Sequence, residues 1–178
     1  GAKFDGDDPD KSLRDLRPGT GEPTEPKPAP AAPKTPIPAP TGDETVSFSL
    51  DIAPLFSASC VECHRDGNTG AMLDLATFEK LWKGGNSGAM IVPGKPAESL
   101  LVKKLKGTAE EGGRMPLNRP AWSADKIALV EKWISEGATF DGPSPTESLS
   151  RVTAIVRANR STSDELNSLR LAEAERQW

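Results

Sequence analysis

The stretch Cys60-Val61-Glu62-Cys63-His64 decides how this chain can fold, because it gathers both cysteines and the single histidine of the 178 residues. The pattern C-x-x-C-H is an attachment signal for a c-type haem. Its two thiols can add to the vinyl groups of one haem, and the His64 imidazole can bind the iron. We therefore expect one covalent haem c. A backbone carbonyl should accept from the other imidazole nitrogen, although the sequence does not rank candidates such as Pro54 and Pro93.

Other chemistries of this motif agree less well with the composition. A closed zinc site needs four ligands, usually several cysteines and histidines, and the chain has no others. A thioredoxin-like C-x-x-C needs a βαβ setting, whose pattern is missing here. A disulfide between Cys60 and Cys63 remains the alternative for a chain to which haem is never attached.

Three methionines compete for the sixth position on the iron. Met72 follows His64 by only eight residues, too few to reach the opposite face of the haem easily. Met90 lies in an apolar stretch, where packing in the core is the simpler role. Met115 lies 51 residues after His64, between glycines that allow close backbone approach and Pro116, which stiffens the loop. We therefore expect His64 and Met115 as metal ligands, and a thioether ligand raises the reduction potential of such a haem.

Composition limits the other classes of function. The net charge of −4 disfavours a nucleic-acid partner. Apolar runs fall short of the roughly 18 residues that indicate a transmembrane helix, so we expect no membrane span in this chain. No signal-peptide pattern is visible, and the Gly-Ala-Lys start is typical of a piece of a longer protein.

Hydrophobic spacing predicts an all-α domain over residues 46–142, with weak strand signals. Apolar faces and glycine stops predict four short helices, at residues 49–59, 77–82, 97–106 and 123–136. Pro54 should make the start of the first helix irregular, and Ser123 is the expected N-cap of the last. We expect Phe56 and Trp133 to pack where these two helices cross.

Segments of different composition flank this domain. Residues 17–45 form a Pro-rich N-terminal linker, since nine of the 27 residues from 17 to 43 are proline. Such a segment is predicted to be an extended, semi-rigid spacer. Residues 143–178 are predicted to be a helical C-terminal tail or the start of the next segment, in which Thr162 and Glu165 would cap a separate last helix.

Residues 1–16 repeat residues 137–152, with eight of 16 positions identical. The second copy directly follows the last predicted helix of the domain. The first copy is therefore predicted to be the tail of an upstream domain of the same kind, so that the chain would be one unit of a tandem array. The alternative is a duplicated surface loop without any lost domain.

Some side chains outside the motif are weaker candidates for binding the cofactor or a partner. Arg65 and Arg114 flank the two expected axial ligands, where a guanidinium can pair with haem propionates, but solvated arginines are equally consistent. Trp82 is expected near the haem edge, with a plain core position as the alternative. Three lysines within residues 103–106 form a positive patch that would suit an acidic partner, or a solvated helix face.

Several pieces of the chain occur in the order of a known family. Over about residues 46–140 the chain resembles planctomycete-type class I c-type cytochrome domains. The matching pieces are Ile52-Ala53-Pro54-Leu55-Phe56, the C-x-x-C-H motif, Leu73-Asp74-Leu75, residues 84–88 and 92–100, Arg114-Met115-Pro116 and residues 133–138. The resemblance implies an all-α class I cytochrome c fold with His64 and Met115 as axial ligands. It also implies export to the periplasm or cell surface, because haem c is attached outside the cytoplasm.

Two residues depart from the family pattern. Leu117 stands where the family often has a second proline after the methionine. Met90 stands where a non-ligating residue is expected, which makes it a minor rival of Met115.

The leading functional hypothesis is an electron-transfer module within a larger multidomain exported protein, without enzymatic turnover of its own. Its partners would be redox proteins and adjacent domains of the same polypeptide. An open-site haem sensor or enzyme would need Met115 to leave the iron, and the lack of a second histidine argues against peroxidase chemistry. A haem-stapled interaction module is a third possibility.

Overall fold

The computed structural model describes residues 36–65 and 70–176. The helices are α1 (Ala53–Ser59), α2 (Phe78–Lys83), α3 (Leu100–Lys106), α4 (Ala124–Ser135) and α5 (Leu149–Arg176). A π-helical turn (Phe48–Ile52) leads into α1, and a 3-10 turn (Gly70–Met72) precedes α2. Across the described residues, pairing between extended segments is limited to two isolated bridges. The predicted all-α class is confirmed, while residues 1–16 and the linker up to residue 35 lie outside the described residues.

Local sequence signals explain where the helices begin. The irregular start expected from Pro54 takes the form of the π turn, and Pro54 itself lies in the first turn of α1, where a missing N–H costs little. Thr77 caps α2 by accepting from Lys80 N at 3.2 Å. Ser123 caps α4 in the same way, as expected, with Lys126 N as the donor.

An aromatic cluster fills the centre of the core. The ring centroid of Phe48 lies 4.6 Å from that of Phe78 and 5.3 Å from that of Trp133. The ring of Phe140 lies 4.6 Å from that of Phe78 and 5.8 Å from that of Phe48. These contacts bring the π turn, α2, α4 and the segment after α4 together around one set of rings.

The predicted contact between the rings of Phe56 and Trp133 is wrong, because each ring packs against a different aromatic residue. Phe48 of the π turn is the ring that meets Trp133, whereas Phe56 stacks on Trp122 at 6.1 Å. A π turn holds more residues per turn than an α-helix, so it changes which side chains share a face.

The packed core extends beyond the expected boundary at residue 142. Leu149 and Val152 of α5 are 1% and 0% exposed, and both belong to the same core cluster as the earlier helices. The Thr153 hydroxyl donates to the Ser49 carbonyl oxygen at 2.9 Å, which ties α5 to the π turn. The start of the predicted tail therefore packs as part of the same core as the earlier helices.

The tail forms one long helix, and the predicted capping box at Thr162 is wrong. The Thr162 hydroxyl instead donates to the Ala158 carbonyl oxygen at 3.0 Å, a bond made inside a continuous helix. Side chains of residues 157–173 are exposed. None of the described helices is long and apolar enough to cross a membrane.

The last ten residues of the predicted linker contact the domain. Pro38 accepts from Phe140 N at 3.1 Å, and Ile37 packs against the core. The Glu136 carboxylate accepts from Thr45 N at 3.0 Å and from Val46 N at 3.1 Å. Residues 36–45 are therefore held on the surface rather than extended away from it.

Candidate haem site

The attachment motif forms a tight turn at the end of α1. Cys60 N donates to the Phe56 carbonyl oxygen at 2.9 Å, which ends the helix. Cys63 N and His64 N then both donate to the Cys60 carbonyl oxygen, at 3.1 and 3.0 Å. Both cysteines are free thiols, with Cys60 half-buried and Cys63 exposed. The turn therefore presents one half-buried and one exposed thiol, three positions apart in the sequence.

Burial sets the protonation of the inner thiol. It raises the pKa of Cys60 to about 12, the neighbouring Cys63 acts in the same direction, and the Arg119 guanidinium acts against both. A thiol of such high pKa is neutral at pH 7 and is a weak nucleophile.

A backbone oxygen orients the His64 imidazole. Its Nδ1 atom lies 3.3 Å from the Leu73 carbonyl oxygen, and in the Nδ1–H tautomer it donates to that oxygen. Leu75 N donates back to the His64 carbonyl oxygen at 2.7 Å, which fixes the backbone on either side of this contact. The expected carbonyl acceptor is confirmed, and it is Leu73 rather than Pro54 or Pro93. The Nε2 atom is left for a metal, as in known metal-binding histidines.

These residues fit a covalently attached haem. Cys60 and Cys63 supply two free thiols at the required spacing, and His64 supplies a pre-oriented nitrogen beside them. No cluster of three or more His, Cys, Asp or Glu side chains suited to a metal ion occurs among the residues the structure describes.

Met115 lies in a loop that follows α3. Gly107 ends α3 with a φ of +73°, and the stem of Arg114 lies directly against it, where a Cβ on Gly107 would meet Arg114 Cβ at 3.3 Å. Met115 N donates to the Lys104 carbonyl oxygen at 2.9 Å, which anchors the loop to α3. Met115 is half-buried, and the following cis-linked Pro116 is buried.

Arg114 binds the backbone of its own loop. Its guanidinium donates to the Met115 carbonyl oxygen at 3.4 Å and to the Arg119 carbonyl oxygen at 3.0 Å. These two bonds connect both ends of the segment 115–119 to one guanidinium and so restrain the shape of the loop. A contact between Arg114 and a haem propionate stays a prediction.

An ion pair joins this loop to the attachment turn. Arg119 Nη2 lies 2.5 Å from Glu62 Oε2, and Glu62 is one of the two residues between the cysteines. A cleft of about 420 Å³ opens beside this contact and is lined by Ser59, Pro116, Arg119 and Trp122, among others. The loop and the end of α1 therefore form two walls of one cleft.

Arg119 and Trp122 were missed by the sequence reasoning. Trp122 carried a usable signal, because it precedes the N-cap Ser123 and Ile127 follows at the fourth helical position, the pattern of a hydrophobic staple. Arg119 carried none, since its partner Glu62 is 57 residues away in the sequence.

The remaining methionines take other positions. Met90 is 7% exposed within the core, and its carbonyl oxygen accepts from Leu101 N at 2.9 Å. Met72 is 67% exposed and directly precedes Leu73, the residue whose carbonyl oxygen meets His64.

The other candidates are found in ordinary structural surroundings. Trp82 is buried and stacks on Phe78, with ring centroids 5.9 Å apart, so its place near a haem edge stays a prediction. In the lysine patch, Lys104 Nζ donates to the Glu111 carbonyl oxygen and Lys106 pairs with Glu131 at 2.6 Å. Two of the three lysines are therefore already engaged by acceptors of the same chain.

A helical domain whose first helix ends in a C-x-x-C-H turn, with a methionine loop joined to that turn by an ion pair, is typical of a c-type cytochrome domain. Comparison with protein families agrees. Residues 60–116 match the family model described as Planctomycete cytochrome C. Residues 60–116 are therefore similar to planctomycete-type cytochrome c domains, a family that implies covalently bound haem c with its iron.

Comparison with solved structures finds a local likeness. A chain of Kuenenia stuttgartiensis hydrazine synthase aligns with 27% identity and a TM-score of 0.39. The alignment covers 55% of this chain and 16% of that one. Among curated proteins no match is found.

Proposed function

We propose that this domain transfers single electrons through one covalent haem c with His64 and Met115 as axial ligands. The observation that carries the proposal is the orientation of His64, whose Nδ1 is taken by the Leu73 carbonyl oxygen so that Nε2 is left for iron. The bound haem supplies the one-electron chemistry. The chain anchors it through Cys60 and Cys63, orients the imidazole and supplies the facing thioether.

The structure supports Met115 over its two rivals. Met72 lies next to the residue that bonds His64, hence on the same side of the site. Met90 is enclosed in the core and its backbone is bonded to α3. Met115 lies in the loop that Arg119 and Glu62 join to the attachment turn, which favours it as the second ligand.

Substitution of the methionines tests this assignment. The chain is expressed with a haem c maturation system, and covalent haem is counted by pyridine haemochrome, with one haem per chain expected. Met115→Ala should keep the covalent haem, become high-spin, bind carbon monoxide when reduced and lower the reduction potential, because the thioether no longer favours reduced iron.

Met72→Ala is the matched control, since it removes a methionine from the same site without removing the proposed ligand. It should keep the low-spin spectrum and the potential of the unchanged protein. The assignment is wrong if Met72→Ala or Met90→Leu, rather than Met115→Ala, produces the high-spin species.

The repeat supports a place in a larger protein. Of the positions identical in both copies, Ala138, Phe140 and Leu149 are buried in the core. Asp141, identical as well, accepts from Ser49 N at 2.9 Å and from the Ser49 hydroxyl at 2.7 Å. A duplicated surface loop has no reason to keep buried residue types. We therefore propose an upstream domain of the same kind, with electron-transfer partners among neighbouring domains and redox proteins outside the cytoplasm.

A further inference from the structure

The Arg119–Glu62 ion pair holds an unusual place in the site. Glu62 lies inside the attachment motif, and Arg119 lies four residues after Met115. Their side chains meet at 2.5 Å. Within residues 36–65 and 70–176, no other hydrogen bond or ion pair joins residues 112–120 to residues 60–64. Among these residues, the contact is therefore the polar link between the Met115 loop and the attachment turn.

The rest of the loop is held from one side only. Met115 N is bonded to the Lys104 carbonyl oxygen on α3, and Lys104 Nζ donates to the Glu111 carbonyl oxygen. Arg114 donates to the Arg119 carbonyl oxygen at 3.0 Å. The same guanidinium donates to the Met115 carbonyl oxygen, so holding Arg119 in place also restrains the backbone at Met115.

We propose that Arg119 is a positioning residue that, by pairing with Glu62, keeps the loop closed and the Met115 thioether near the iron. This inference rests on the proposed His64/Met115 ligation. Glu62 lies between two cysteines bonded to the haem, so its backbone is fixed to the very group that Met115 must reach. Closing the loop onto such a fixed anchor costs less conformational freedom than joining two mobile loops.

The size of the effect follows from exposure. Arg119 is 44% and Glu62 68% exposed, and exposed ion pairs change equilibria by about twofold to fivefold. Loss of the pair should therefore raise the rate of Met115 dissociation by about this factor. High salt should produce a similar acceleration in the unchanged protein, because exposed pairs are screened.

The test measures ligand exchange in the oxidised holoprotein. Imidazole is added at saturating concentration, and the rate at which it replaces the methionine is followed by absorption. Arg119→Gln is the main variant, because it lies outside the motif that haem attachment requires. We expect exchange about 2–5 times faster, no further gain in the Arg119→Gln, Glu62→Gln double variant, and partial recovery in Arg119→Lys, which keeps the charge but loses the planar fork.

Lys106→Gln is the matched control. It breaks the pair with Glu131, which has a similar length of 2.6 Å and a similar lysine exposure but lies between α3 and α4. It should leave the exchange rate unchanged, and the melting temperatures of both variants separate positioning from general loss of stability. Equal rates in Arg119→Gln and the unchanged protein would overturn the positioning role. A high-spin unchanged protein, which takes imidazole without displacing a ligand, would instead overturn the proposed ligation.

Discussion

His64 is oriented by a backbone oxygen rather than by another side chain. The Leu73 carbonyl oxygen can accept from the tautomer with the proton on Nδ1, which would leave Nε2 for iron in the proposed site. No substitution of Leu73 removes that oxygen, so the arrangement depends on the path of the backbone after the attachment turn. The bond from Leu75 N to the His64 carbonyl oxygen maintains this path.

Gly107 lies where α3 ends and the Met115 loop begins, and its backbone is in the left-handed conformation. Its φ of +73° disfavours any side chain, and a Cβ would press on Arg114 at 3.3 Å. Gly107→Ala should cost about 1–3 kcal/mol of stability and also disturb the Arg114 bonds that shape the Met115 loop. Chemical denaturation and the imidazole exchange rate measure the two effects.

The Gly94→Ala variant separates the effect of backbone strain on stability from the effect on ligand exchange. Gly94 has nearly the same φ, +74°, but nothing within 4 Å of an added Cβ. It should lose a similar amount of stability from backbone strain while leaving ligand exchange unchanged. Equal exchange rates in both variants would show that Arg114 has no part in holding Met115.

The lowered pKa of Glu136 predicts that the stability gained when residues 36–45 pack on the domain depends on pH. The Thr45 hydroxyl and the backbone groups of Thr45 and Val46 donate to its carboxylate and hold its pKa below the ordinary 4.5. A lowered pKa in the folded state gives stability that is present above about pH 4.5 and is lost as the pH falls through the folded value. The difference in melting temperature between the unchanged protein and Glu136→Gln should therefore be largest above about pH 5 and shrink in acid.

Glu98→Gln removes a carboxylate from an exposed pair with Lys95 and controls for the change in net charge. A melting difference for Glu136→Gln that does not change with pH would contradict the role given to the ionised Glu136.

At the scale of elements, α5 combines a buried start with an exposed remainder. Leu149 is 1% exposed and Leu166, in the same helix, is 53% exposed. Leu149→Ala should cost about 2–5 kcal/mol, because it leaves a cavity between α5 and the core. Leu166→Ala should change stability by less than about 0.5 kcal/mol. Urea denaturation compares the two, and similar losses would show that α5 docks differently along its length.

Sequence signals located the helices whose caps are local. Ser123 and the glycine after α4 are enough to place α4, and the apolar spacing of residues 100–105 is enough to place α3 within three residues. The π turn could not be predicted from the α-helical spacing of apolar residues. Its wider turn places Phe48 against Trp133 of α4. The docking of α5 could not be read either, since Leu149 and Val152 look alike in a free amphipathic helix and in a docked one.

At the scale of the whole molecule, the attachment chemistry was predictable and its supports were not. Two cysteines and a histidine at fixed spacing identify the cofactor from one short stretch. The Leu73 carbonyl oxygen and the Arg119–Glu62 pair join residues that are distant in sequence or act through the backbone. Such contacts depend on the complete fold, so a pattern of residue types does not reveal them.

Carbon monoxide binding to the reduced, unchanged protein tests the central claim most directly. The proposed His64/Met115 pair fills both axial positions, so the absorption spectrum should stay unchanged when the gas is added. Rapid binding, with the spectral shift of a haem that was five-coordinate, would contradict the electron-transfer assignment and identify an open-site haem protein instead.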